Sequence, residues 1–169
     1  NLKAGYTFMT GHPGKKLLFM GSEFGQFKEG YYKEGLEFFL KDEYPLQAKL
    51  YEMNKELNRF YKETKAFYEI EDSWDGFEWL AADDADRNMI AFMRKDSDGR
   101  KFGVAINFSG VTAEGYRLGV PKGKYQVVFN TDHPKFGGAG VWKKRSVNTQ
   151  KKPSHGKEDS ILLELPKLT

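Results

Sequence analysis

The 169-residue chain contains no cysteine. Disulfides, thiolate zinc sites and cysteine nucleophiles are therefore excluded. Histidine is scarce. His12, His133 and His155 lie far apart, so no metal-ligand spacing is present. Charge of one sign is also missing, with 27 Lys and Arg against 24 Asp and Glu and a net charge of +3. The densest basic runs, Lys143-Lys144-Arg145 and Lys151-Lys152, are balanced by acidic stretches such as Asp83-Asp84-Ala85-Asp86. A nucleic-acid surface needs a stripe of one sign. No apolar run nears the roughly 20 residues of a membrane span. The expectation is a chain without metal, cofactor, nucleic-acid or membrane partner. Lack of cysteine fits a reducing compartment, and a cytoplasmic location is expected. The opening residues show no signal-peptide pattern. They read as helix already under way, which leads us to expect a piece of a longer protein.

What is present is aromatic and two-part. The chain has 14 Phe, 9 Tyr and 3 Trp. Its length allows about 70% of the unfolded surface to be buried, so no covalent staple is needed. Leu2, Tyr6 and Met9 recur at helical spacing until His12-Pro13-Gly14 stops them. Residues 16–20 are a short, mainly apolar run bounded by turn signals, which predicts a strand buried on both faces. Residues 27–44 show no period and predict a structured loop with short helical turns. Pro45 opens the clearest helix, as proline does at a first helical position. Its stripe of Leu46, Leu50, Met53, Leu57, Phe60 and Tyr61 steps by three and four, which reads as core packing.

After Asp72 the period changes to two. Phe77, Trp79 and Ala81 alternate with Glu78, Leu80 and Ala82. Further alternating runs start at Phe102, Tyr116, Tyr125 and Ile161. Asp96-Ser97-Asp98-Gly99 reads as a hairpin turn. Several short strands with turns between them predict an antiparallel sandwich.

The run KKLLFMGSEFGQ, from Lys15 to Gln26, closes a pattern that opens at His12-Pro13-Gly14. It is followed in order by Leu57-Asn58, Gly76-Phe77-Glu78-Trp79, Ala105-Ile106-Asn107-Phe108, Asn130-Thr131-Asp132, His155-Gly156 and Ser160-Ile161-Leu162-Leu163-Glu164-Leu165-Pro166. This series resembles the C-terminal portion of bacterial 1,4-alpha-glucan (glycogen) branching enzymes, of the alpha-amylase superfamily. The resemblance implies an α+β fragment: the last βα portion of a (β/α)8 barrel over residues 1–72, then an all-β antiparallel sandwich over 73–169. Residues 16–20 would be the eighth barrel strand.

The resemblance also implies the function of the parent protein. It would transfer an α-1,4-glucan segment to a 6-hydroxyl in glycogen biosynthesis, with the rest of the barrel as partner in cis. Retaining transfer needs two carboxyl groups about 5 to 5.5 Å apart. The family's catalytic acids lie on or after earlier barrel strands. The His-Asp motif of the third acid is missing here, since the histidines precede Pro13, Pro134 and Gly156. No catalytic residue is therefore assigned to this chain, and by itself it is expected to be inactive. Barrel enzymes place chemistry at the C-terminal ends of strands. That position makes Glu23 and Gln26 candidate glucan contacts, against a plain role in holding the loop. The register where the family carries Glu-Trp and Leu-Asp-Trp reads Glu29-Gly30 and Leu36-Glu37-Phe38 here, so Tyr31, Tyr32 and Phe38 would substitute. Trp142, among glycines and lysines, is the candidate exposed stacking residue of the sandwich, whereas Trp79 is expected in the core. The alternative roles for the β module are glucan binding by itself or a purely structural cap, within this or another enzyme of the superfamily. The structural cap predicts an exposed apolar patch on the missing barrel's side.

Overall fold

A computed structural model describes residues 1–28 and 30–169. Helix α1 (Leu2–Gly11) comes first. It stops at His12, whose φ of −69° and ψ of 145° are the extended conformation imposed ahead of a proline. A short helix α2 (Phe39–Glu43) and the long helix α3 (Pro45–Glu63) follow, Pro45 opening α3 as the sequence predicts. Seven strands complete the chain: β1 (Phe77–Asp84), β2 (Met89–Lys95), β3 (Lys101–Asn107), β4 (Ala113–Gly119), β5 (Lys124–Gln126), β6 (Ser146–Asn148) and β7 (Ser160–Leu165). They form an antiparallel sheet β1-β2-β3 and the antiparallel pairs β4-β7 and β5-β6.

The three-stranded sheet is covered on both faces. Met89, Ala91 and Met93 of β2 point to one face, where they meet Leu118, Val120 and Ile161 in the core of the sandwich. Phe92 of β2 points to the other, where Ile106, Phe77, Ala4 and Phe8 form a second cluster under α1. Period two thus delivers apolar side chains to two layers at once. In β1 the alternation breaks. The register shifts on both sides of Ala81, a β-bulge. Trp79 stays on the α1 side, while Leu80 and Ala81 both reach the sandwich core. Two adjacent residues on one face are what an inserted residue produces. The β2-β3 hairpin turns where the sequence places it. The Asp96 carboxylate accepts from the Asp98 and Arg100 amides at 3.0 and 2.9 Å, and Gly99 takes a φ of 80°.

One joint holds the helices to the sheet. Arg94 of β2 is completely buried. Its guanidinium donates to the carbonyls of Gly11 (2.7 Å), Gly76 (3.2 Å) and Ile70 (3.3 Å). Gly11 ends α1, where carbonyls lack helical partners, so Arg94 serves as a cap from another element.

Two expectations fail. Residues 16–20 are not a strand; residues 15–19 form no regular element, with Leu17 and Phe19 largely exposed. A buried parallel strand needs neighbours on both edges to take its backbone hydrogen bonds, and no strand pairs with this segment among the described residues. The α3 stripe also narrows. Leu50, Met53 and Leu57 are buried in a cluster with Phe136, but Leu46, one turn ahead of that cluster, is 72% exposed. No described helix is long and apolar enough to cross a membrane.

Candidate functional site

The segment after the 15–19 run folds into a tight turn. Ser22 N donates to Phe19 O at 3.1 Å, and Phe19 N donates to Ser22 Oγ at 2.8 Å. The two residues between are left-handed, Met20 with φ 42° and Gly21 with φ 83°. For glycine that conformation costs little, but for methionine it is strained. A 3-10 turn (Ser22–Phe24) then carries Glu23, and Gly25 ends it with φ 71°. Fully buried Phe24 anchors this turn, its ring 5.2 Å from that of Phe38.

Two distant side chains clamp the backbone on either side of the carboxylate. Tyr6 of α1 donates its hydroxyl to Ser22 O at 2.5 Å. Asn54 of α3 donates to Glu23 O at 2.8 Å. The Glu23 carboxylate itself has no hydrogen bond or ion pair among the described residues, although the residue is half-buried. Burial raises the Tyr6 phenol pKa above its ordinary value, and the Glu23 charge adds to the rise. Glu23 is thus an acid held by its main chain and free at its oxygens. Such a group can accept hydrogen bonds from hydroxyls.

Gln26 is different. Its Oε1 accepts from Glu37 N at 2.8 Å and its Nε2 donates to Lys28 O at 2.8 Å. A Cβ at Gly21 would lie 2.7 Å from Gln26 Oε1, so the amide is packed against the turn as well. Both polar ends of Gln26 are engaged in closing its own loop. Tyr31, Tyr32 and Phe38 stand exposed along that loop, whereas Glu29 lies outside the described residues.

The loop after β5 presents Trp142. Asp132 organises it by accepting from Ala139 N at 2.9 Å and Val141 N at 2.7 Å. Lys3 of α1 ties the loop to the helices through the carbonyls of Thr131 (2.8 Å) and Phe136 (3.2 Å). Trp142 is not the exposed tryptophan. It is half-buried, whereas Trp74 is 74% exposed. Chain folding around Asp132 draws the indole inward, with Lys144 Nζ 5.6 Å from its ring. Trp142 stands between a large groove of about 730 Å³ and a smaller hollow of about 410 Å³ lined by Asn130, His133, Lys143, Lys144 and Arg145. Neither is lined by Glu23. Trp79 packs edge-on against Phe77 at 4.9 Å, on the α1 side of the sheet.

The histidines stand in three different settings. His12 is among Phe8, Phe77 and Phe92, His133 caps a 3-10 turn at Lys135 N, and His155 accepts from Gly119 N. Sequence reading missed Tyr6, Asn54 and Lys3. Each acts 16 or more positions away in the chain, so no local spacing marks it.

Comparison with known proteins adds a further finding. The family described as "Alpha amylase, C-terminal all-beta domain" matches residues 79–169, which covers β2 to β7 and most of β1. Across 99% of its length the chain is 43% identical to the 1,4-alpha-glucan branching enzyme GlgB of Halothermothrix orenii, and it covers 27% of that protein. It is 41% identical to the same-named protein of Aquifex aeolicus over 100% of this chain and 27% of the relative. With the same-named protein of Pseudomonas putida it shares 41% over 99% of this chain and 23% of the relative. The chain thus spans about a quarter of the length of these curated relatives.

Proposed function

The chain belongs to the alpha amylase C-terminal all-beta domain family, and from that premise we propose that it is the C-terminal part of a 1,4-alpha-glucan branching enzyme. The observation that carries this reading is whole-chain identity of 41 to 43% to branching enzymes, extending through residues 1–78 outside the family match. In this reading residues 1–72 are the end of the catalytic barrel and residues 73–169 the C-terminal sandwich. Residues 16–20 become a barrel strand once their neighbours flank them. The exposed Leu17 and Phe19 support this, since they offer apolar side chains where such neighbours would pack.

The parent reaction is transfer of an α-1,4-glucan segment to a 6-hydroxyl, by acids placed upstream of this chain. Glu23 contributes a carboxylate to the substrate rim, where it accepts from glucan hydroxyls. Its clamped backbone and free oxygens support that role. Gln26 acts on the substrate by fixing the loop that bears Glu23. A cytoplasmic setting fits an enzyme of glycogen synthesis without disulfides.

The test is a chimera. This chain replaces the matching quarter of the Halothermothrix orenii relative, and branching is followed by loss of iodine staining. The chimera is expected to branch and the chain by itself is not. A folded chimera without activity, or branching by the chain alone, would sink the reading. In the active chimera Glu23→Gln is expected to raise KM more than it lowers kcat, since a substrate contact is lost without a catalytic acid.

A second reading concerns the hollow beside Trp142, where an indole, Asn130 and His133 are close together. It would hold a glucan chain apart from the catalytic cleft. Maltoheptaose titration followed by tryptophan fluorescence tests it. Saturable binding that Trp142→Ala removes is expected; binding unchanged by that substitution rejects it.

A further inference from the structure

The hollow beside Trp142 lies between two fixed stretches of chain. On one side Val127 N donates to Arg145 O at 2.9 Å, one step past the β5-β6 ladder. This ties the basic run Lys143-Lys144-Arg145 to the end of β5. On the other side the loop closes through Gly140, whose φ is 69° and whose N donates to Asp132 O at 2.9 Å. A Cβ at Gly140 would lie 3.0 Å from Pro134 Cγ, so glycine lets the two sides of the loop approach this closely.

The polar side chains that line the hollow share one property: what each has left to offer is a donor. Asn130 Oδ1 accepts from Asp132 N at 2.9 Å, which leaves its amide NH2 group unused. His133 Nδ1 accepts from Lys135 N at 3.1 Å, so the neutral ring carries its proton on Nε2. Trp142 Nε1 is buried without a hydrogen-bond partner among the described residues. Lys143, Lys144 and Arg145 are exposed, and none of them joins an ion pair among the described residues, whereas Lys135 is paired with Glu56 at 2.5 Å. Asp132 is the one acid between Val127 and Arg145. Its carboxylate is engaged by the amides of Ala139 and Val141, and no carboxylate lines the hollow among the described residues. The hydroxyls of a neutral sugar donate as well as accept, and here no side-chain acceptor is left for their hydrogens. A phosphate monoester suits the lining better, with three acceptor oxygens and a charge of about −1.5 to −2 at pH 7. Hydrogen bonds to such a charged group are roughly twice as strong as neutral ones. At about 410 Å³ the hollow is larger than an inorganic phosphate, and the indole of Trp142 gives it a wall for a sugar ring, with Lys144 Nζ 5.6 Å from that indole.

We propose that this hollow is a site for a phosphate monoester carried on a hexose. Lys143 and Arg145 neutralise the phosphate, Asn130 and His133 donate to its oxygens, and Trp142 covers a face of the sugar. The inference rests on the second reading above, a sugar held at this hollow apart from the catalytic cleft, and it names the charged group on that sugar. The ester is borne on a glucan chain or on a free hexose, since both present the same chemistry to the lining.

The full chain is titrated with glucose 6-phosphate, glucose, inorganic phosphate and maltoheptaose at one ionic strength. The readouts are Trp142 emission, assigned with Trp142→Phe, and the phosphorus NMR resonance of the ester. Glucose 6-phosphate is expected to bind at least about 10-fold more tightly than glucose or maltoheptaose, as one charge-assisted hydrogen bond would give. Its binding should weaken as salt rises. Lys143→Gln with Arg145→Gln changes two exposed residues, so circular dichroism should stay the same while affinity for the ester falls about 10-fold or more. Maltoheptaose esterified with phosphate at a 6-hydroxyl identifies the source. Tighter binding than glucose 6-phosphate assigns the ester to a glucan, weaker binding assigns it to a free hexose, and either supports the site. Maltoheptaose bound as tightly as the ester overturns the inference and leaves the second reading standing, whereas no binding by any sugar overturns both. Inorganic phosphate bound as tightly as the ester overturns it too, because the hexose would then contribute nothing. So does an affinity for the ester that the double substitution leaves unchanged.

Discussion

The strands and the segment before them bury apolar side chains very differently. Phe92, Met93 and Ile106 are fully buried, and sheet β1-β2-β3 uses both of its faces. Leu17, Phe19, Phe27 and Tyr32 are 61 to 80% exposed. Helix α1 packs against the sheet through Ala4 and Phe8 and against α3 through Tyr6, and α3 also packs against Phe136. Composition does not explain the contrast, since both regions are rich in Phe and Tyr. What differs is whether the chain supplies a second layer. The strands carry partners for their own apolar faces, whereas Leu17, Phe19, Phe27 and Tyr32 stand largely uncovered among the described residues, in the same stretch as the buried Phe24 and Leu40.

The joint between the two regions is the place to break this comparison hardest. Arg94→Leu removes the donor shared by Gly11, Ile70 and Gly76, and although Gly76 O keeps its bond from Lys95 N, the carbonyls of Gly11 and Ile70 lose theirs. We expect a loss of about 3–5 kcal/mol in urea unfolding. Arg94→Lys is expected to recover little, because one ammonium cannot match a planar fork spread over three carbonyls. If the strands remained folded while α1 detached, far-UV circular dichroism would lose helix before sheet.

Asp132→Ala attacks a smaller tie. Two backbone donors, Ala139 N and Val141 N, lose their acceptor, and Lys3 loses a nearby opposite charge. The expected cost is about 1–3 kcal/mol. Its signature is local. Trp142 adjoins Val141, so its emission should move while the strands keep their circular dichroism.

The contrast between the regions also explains what the sequence revealed. Helix α3 was legible because Pro45 marks its start and its apolar stripe steps regularly. The hairpin at Asp96-Ser97-Asp98-Gly99 was legible because its turn chemistry is local. The strand expected at 16–20 was not formed, because a parallel strand depends on neighbours that apolar residues cannot specify alone. The bulge at Ala81 was hidden, since Leu80 and Ala81 are both apolar and fit either phase. At the candidate site, position marked out Glu23, but not the hydroxyl of Tyr6 or the amide of Asn54 that clamp it. Those contacts are set by how α1 and α3 pack, which periodicity reports only as a stripe. Trp142 looked exposed from its glycine and lysine neighbours, and the Asp132 contacts that draw it inward lie 7 and 9 positions downstream of the aspartate.

Acid sharpens the comparison further. Glu69 accepts from Ser97 N at 2.9 Å and Ser97 Oγ at 2.8 Å, and Lys65 stands 3.0 Å away. These partners, the Ser97 amide first, lower its carboxyl from 4.5 to about 2. A carboxyl depressed in the folded state adds stability that is complete above its ordinary value and lost as pH falls through the folded one. The contribution of this link between the 65–69 turn and the β2-β3 hairpin should therefore disappear between about pH 4.5 and about pH 2. Glu69→Gln is expected to lower the neutral plateau of a melting-temperature profile slightly and to flatten its acid limb in that window. An unchanged acid limb would show that the hairpin gains nothing from Glu69.

The smallest expected effect is the most discriminating. Leu17→Ser with Phe19→Ser alters two side chains that are 71 and 61% exposed. Exposed substitutions away from packed features usually stay within about 0.5 kcal/mol. The chain by itself should therefore unfold at nearly the same urea concentration and bind less hydrophobic dye. In the chimera with the Halothermothrix orenii relative the same pair should behave as core residues. Moving two large apolar side chains from a core to serine costs several kcal/mol, enough to lower the melting temperature by several degrees and remove branching. A pair of substitutions that is silent in one setting and disruptive in the other would mean that the exposed face is an interior awaiting its second layer. Equal silence in both would mean that Leu17 and Phe19 are ordinary surface residues, and the comparison between the two regions would lose its explanation.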